Sequence, residues 1–90
     1  MGFKTNVTIH NLLLNNCYIN IDYFIVKKIK TYYTITMYYN IYLNYDHRID
    51  NKIALYKKDY TISIDELPDY NLMIYLYNQI KQLYNNPIDF

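Results

Sequence analysis

Glycine occurs once in these 90 residues, at Gly2, cysteine once, at Cys17, proline twice and tryptophan not at all. A phosphate-cradling loop needs glycines whose backbones can approach the anion, so P-loop and dinucleotide fingerprints are absent, and nucleotide-dependent catalysis is not expected. One cysteine can close no intrachain disulfide and build no thiolate zinc cluster, which fits a reducing compartment. Charge of one sign is lacking too. Nine basic residues stand against eight acidic ones, a net +1 that is no footprint for a phosphate backbone or an anionic bilayer. No apolar run approaches the roughly eighteen residues that span a membrane. The start of the chain lacks the charged, apolar, small-residue order of a secretory leader, so a soluble chain is expected. Gly2 sits where a myristoylated glycine would, but position 6 is Asn rather than Ser or Thr, so lipidation is not expected either.

What is present is lopsided. Tyr and Ile supply 14 residues each, Asn 12 and Lys 8, whereas Gly, Ala, Arg and Pro together supply five. The abundant types are written with A/T-rich codons and the scarce ones with G/C-rich codons, so an A/T-rich genome accounts for the skew without any appeal to function. Ninety residues make one small domain, 1–90. A chain of that length buries only about 60–65% of the surface it exposes when unfolded, which favours partners.

Alternation dominates the pattern. Residues 4–10 put Thr5, Val7 and Ile9 on one side, a half-buried strand. Asn11 through Asn16 set three leucines between asparagines and read as a turn or a short irregular hairpin connection. Residues 17–27 alternate with Cys17, Ile19, Ile21, Tyr23 and Ile25 on one side and Tyr18, Asn20, Phe24 and Val26 on the other. Residues 31–43 carry the cleanest period of two and predict the central strand. A polar connection, Asn44 to Asn51, follows. Residues 52–64 resume alternation with Ile53 and Leu55 on odd positions but Tyr60, Ile62 and Ile64 on even ones, which calls for a bulge around Lys57, Lys58 and Asp59. After Pro68 the period changes. Leu72, Met73, Leu76, Ile80 and Leu83 form one helical stripe over 69–85, with Asp69 as its cap and 88–90 as a tail.

These elements predict an α+β fold: a four-stranded antiparallel sheet with one C-terminal helix packed on one face. Val7, Ile9, Ile19, Ile21, Ile25, Ile35, Met37, Ile41, Ile62 and Ile64 would face Leu72, Leu76, Ile80 and Leu83. The opposite face would carry Tyr18, Asn20, Phe24, Val26, Thr34, Thr36, Tyr38, Tyr42 and Ser63, with Tyr32 at its end. Tyrosine joins a large apolar area to a hydroxyl that a rim can satisfy, so this face suits burial in an assembly, with Tyr18, Phe24, Tyr32, Thr34, Thr36, Tyr38 and Tyr42 as interface residues. The plainer reading is strand propensity alone, with the rings standing in water.

Catalytic candidates are thin. Ser63, the sole serine, lies mid-strand without the sharp turn that exposes a nucleophile. Cys17 could pair with His10 or His47, yet its place on an apolar face reads as a small hydrophobe. Asp46, His47, Arg48 and Asp50 read as a solvated loop, since a metal would need ligands from elsewhere. Asp65, Glu66 and Asp69 sit where helix-start carboxylates belong. No catalytic residue, cofactor or metal site is therefore expected. Lys27, Lys28, Lys30, Lys57 and Lys58 beside Tyr32, Tyr33, Tyr56 and Tyr60 form the best case for a single-stranded nucleic-acid platform, which the balanced net charge opposes.

The opening MGFKTNVTI, NCYINI at 16–21, the aromatic run with Tyr38 and Tyr39, and YTISIDELPD leading into LMIYLYNQIKQL resemble a group of small virion-associated proteins encoded among the structural genes of tailed bacteriophages. The compositional bias is similar to that of some gut-associated phages, including the crAss-like group. The resemblance implies a non-enzymatic virion protein made in the host cytoplasm, present in repeated copies beside other virion proteins at the neck, tail or capsid surface. It carries over no functional residue. The alternative is a small nucleic-acid-binding or host-takeover regulator.

Overall fold

The structure, a computed structural model, describes residues 2–49 and 53–89, apart from the side chain of His47. Strands β1 (Phe3–Ile9), β2 (Leu12–Ile29), β3 (Tyr32–Tyr42) and β4 (Tyr56–Ile64) form an antiparallel meander. A short helix, α1 (Tyr45–Ile49), lies between β3 and β4, and α2 (Leu72–Lys81) follows β4. The chain ends in β5 (Ile88–Asp89), which pairs antiparallel with β1 and gives the spatial order β4-β3-β2-β1-β5. The fold is thus α+β with a C-terminal helix against an antiparallel sheet, but five strands, not four, are present among the described residues. The segment read as a tail supplies the fifth, held by an ion pair from Lys81 to Asp89 and by Thr5 Oγ1 donating to the Asn85 carbonyl at 2.8 Å.

With so little glycine, asparagine and its neighbour make the β1–β2 reversal, while Lys30, at φ 53°, turns the chain from β2 into β3. His10 and Asn11 both take positive φ, 51° and 65°, the geometry of a type I′ hairpin turn, so Leu12 to Asn16 continue the strand rather than turning. Asn residues tolerate this left-handed region because their short polar side chains bond locally. Asn16 uses it again, at φ 59°, in a bulge where Asn15 and Asn16 oppose Asn6, whose Oδ1 accepts from the Asn16 N–H at 3.1 Å. A second bulge leaves Asp22 unpaired between Ile21↔Tyr39 and Tyr23↔Tyr38. Each extra residue flips the strand's facing.

The second flip corrects two expectations. Phe24 and Val26 turn to the helix side, where Phe24 packs against the core, while Tyr23 and Ile25 turn to the opposite face. The register break expected at Lys57–Asp59 is absent: β4 pairs without interruption from Tyr56 to Ile64, and Ile53 and Leu55 precede it. The expected strand start at Lys52 and the acid Asp50 lie outside the described residues. Part of the supposed loop after β3 is α1.

The core joins Phe3, Val7, Cys17, Ile19, Ile35, Met37 and Ile41 to Leu76, Tyr77 and Ile80 of α2. Asn71, not Asp69, caps this helix, its Oδ1 accepting from the amides of Met73 at 2.9 Å and Ile74 at 3.4 Å. After Lys81 the turn tightens, Leu83 N–H donating to the Ile80 carbonyl at 2.9 Å and Tyr84 N–H to that of Lys81 at 3.1 Å. That rotates Leu83 off the stripe, leaving it 46% exposed, and brings Tyr84 over Phe3 instead, ring centroids 6.3 Å apart. Gly2 fits here because a Cβ would come within 2.7 Å of the Ile19 carbonyl oxygen and strike the Tyr18 ring.

Candidate interaction face

The side of the sheet away from α2 is organised in cross-strand rows. Pairing places Tyr18 beside Tyr42, Asn20 beside Asn40, Tyr23 beside Tyr38, Ile25 beside Thr36, Lys27 beside Thr34 and Ile29 beside Tyr32. β4 extends the rows with Lys57, Asp59, Thr61 and Ser63. Six of the seven expected interface residues, Tyr18, Tyr32, Thr34, Thr36, Tyr38 and Tyr42, therefore share one face. Phe24 does not.

The rows differ in how finished they are. At the end nearest α1, Tyr18 is only 4% exposed, because the Tyr45 ring meets it edge-on at 5.0 Å and Tyr42 lies 6.4 Å away. Burial, reinforced by the neighbouring Tyr77 and Tyr45 hydroxyls, pushes the Tyr18 phenol above its ordinary pKa. Tyr18 is thus an internal support for α1 rather than a contact residue. Next comes the Asn20 and Asn40 row, where Asn20 Oδ1 is buried without a hydrogen-bond partner.

Beyond it the face opens. Tyr23 and Tyr38 stack at 4.6 Å with their planes 18° apart, and Tyr23 remains 52% exposed. Ile25 is 44% and Ile29 38% exposed, flanked by Tyr32 and by a Thr36–Thr61 hydroxyl bond of 2.9 Å. Tyr23, Ile25 and Ile29 were not legible as members of this face. The one sequence signal for the flip is Asp22, a residue type depleted in strands, placed amid apolar neighbours. An open groove of about 270 Å³ runs beside the stacked pair, lined in part by Asp22, Asn40, Lys57 and Asp59.

The catalytic candidates are dispersed. Cys17 is a free, fully buried thiol on the helix side, and burial raises its pKa, which disfavours the reactive thiolate. Ser63, expected mid-strand, is the last but one residue of β4, opposite Thr34. Among the described residues no three metal-ligating side chains converge, and no helix is long and apolar enough to cross a membrane. The lysine and tyrosine set is split by the pleat. Lys27, Lys57 and Tyr32 belong to the open face, whereas Lys28, Lys58, Tyr33, Tyr56 and Tyr60 belong to the helix side, where Lys28 lies over the Tyr33 ring at 5.7 Å and Lys58 over Tyr56 at 5.6 Å. No family model, curated protein or solved structure matches the chain.

Proposed function

We propose that the chain acts by assembly, as a non-enzymatic structural subunit that covers its open sheet face against neighbouring proteins. The observation that carries this reading is the strip of Tyr23, Tyr38, Ile25, Ile29 and Tyr32, a stacked aromatic pair continued by exposed aliphatic side chains. Exposed apolar side chains gathered on one sheet face, here with the Lys27 and Thr34 row between Ile25 and Ile29, mark interaction sites, and paired tyrosines are favoured anchors because they offer area at little entropic cost. The particle context, a phage neck, tail or capsid surface with the chain in repeated copies, rests on the resemblance in the sequence.

The test is incorporation. Mass spectrometry of purified particles should find the chain, and the double variant Tyr23→Ser, Tyr38→Ser should lose incorporation while its circular dichroism stays that of the parent. Normal incorporation of the variant would overturn the role of this face. Absence from particles, together with single-stranded DNA binding that weakens steeply with salt, would favour the regulator instead.

A further inference from the structure

The two edges of the sheet are unlike. β5 is two residues long and is clamped by Lys81. β4 runs nine residues without bulge or proline, bonds to β3 along one edge only, and has no described strand on the other. An open edge of that length is a template for another strand.

Its charges say which strand. Lys57 and Asp59 both project onto the open face, opposite Asn40 and Tyr38 of β3, while Lys58 projects to the helix side over the ring of its own Tyr56. Antiparallel pairing of two copies about a two-fold axis normal to the sheet keeps the same face upward in both. A register centred on Lys58 then sets Lys57 of each copy opposite Asp59 of the other, and Tyr56 opposite Tyr60. A register centred on Asp59 sets carboxylate against carboxylate. One centred on Tyr60 leaves Lys57 facing Ser63 and Asp59 facing Thr61. Edge lysines ordinarily repel incoming strands. Here the acid two residues on converts that repulsion into selectivity for one partner in one register, since opposite charges directly across a pair attract and like charges do not. The central Lys58 pair is the cost, moderated because each ammonium lies along its own strand over Tyr56.

From this edge we infer that β4 pairs with β4 of a second copy, making one continuous sheet with the open faces side by side and Lys57–Asp59 contacts reciprocal across the seam. The inference deepens the assembly reading by naming one neighbour and one contact.

Sedimentation equilibrium of the full chain tests it. Lys57→Asp and Asp59→Lys should each weaken self-association by about tenfold or more, because each turns two attractive pairs into two repulsive ones. An equimolar mixture of the two variants should regain association within about threefold of the parent, since the two carboxylates on the edge of one chain then meet the two ammonium groups on the edge of the other. Circular dichroism of each variant should match the parent. Self-association unchanged in the single variants, a mixture no better than either alone, or a parent chain monomeric at every concentration would each overturn the inference. Particle incorporation distinguishes the two proposals: a monomeric parent that still enters particles removes the edge contact alone, while charge rescue in a chain absent from particles removes the assembly role alone.

Discussion

On the helix side of the sheet, Ile19, Ile35 and Ile41 have no exposed surface; through the same backbone, Ile25 and Ile29 of the other side stand 44% and 38% exposed. The side chains are chemically identical and belong to adjacent, hydrogen-bonded strands. What separates them is cover. α2 and the tightened turn after it lay Leu76, Tyr77, Ile80 and Tyr84 over one face, while α1, five residues long, shields only the Tyr18 end of the other. Among the described residues no other element lies over that side.

The sharpest way to break this contrast is to delete a ring from the covered side. Phe3 is fully buried between Tyr77 and Tyr84, both 6.3 Å away, and Phe3→Ala should cost about 3–5 kcal/mol in urea denaturation. Ile25→Ala on the open side should cost under about 1 kcal/mol, because half-exposed aliphatic groups leave no closed cavity. Equal losses would mean the open face is packed in the isolated chain.

Alkali should separate the sides next. Burial raises the phenols of Tyr39, Tyr77 and Tyr84, the last also held in its neutral form by the 3.0 Å hydroxyl contact with Tyr39. In the unfolded chain these groups ionise near pH ~10. Above that pH the unfolded state binds fewer protons than the native one, so stability, intact below pH ~10, falls as the pH rises, by up to about 1.4 kcal/mol per group for each further pH unit. Ultraviolet titration of phenolate absorbance alongside thermal melts should show a fraction of the tyrosines ionising only as the fold is lost. Smooth ionisation of all 14 with no loss of melting temperature would contradict the packing of the covered side.

The smallest effect tests the cover itself. Asn71→Ala removes the acceptor of the Met73 and Ile74 amides and should destabilise by about 1 kcal/mol, read from the denaturation midpoint. Asp69→Ala, which removes the cap expected from sequence, should change it by under about 0.5 kcal/mol.

Legibility followed the same divide. β3 was readable almost to the residue, because its rows alternate without interruption and both neighbours pair along it. The stripe Leu72, Leu76 and Ile80 was readable because a helix repeats at a spacing that strands do not share. β2 was not. Its two bulges, at Asn15–Asn16 and at Asp22, each reverse the facing of everything beyond them, so a strict period of two assigns Ile25 to the core and Phe24 to the surface. The open face suffered accordingly: Tyr32, Thr34, Thr36, Tyr38 and Tyr42 of β3 share it as expected, but its most exposed β2 members were missed. Leu83 escaped for a related reason: a three-residue hydrogen-bond step after Ile80 is a local choice of backbone that the apolar pattern does not record.

Local periodicity and turn chemistry were enough to determine that this chain makes antiparallel strands followed by a helix, because those preferences act between residues a few positions apart. The pairing of Ile88 and Asp89 with β1, the bulges that re-aim β2 and the choice of which face lies uncovered depend on contacts between segments as far apart as Thr5 and Asn85. Only the packed chain could decide them, since the free energy that selects among such arrangements comes from surface removed from water by distant partners together.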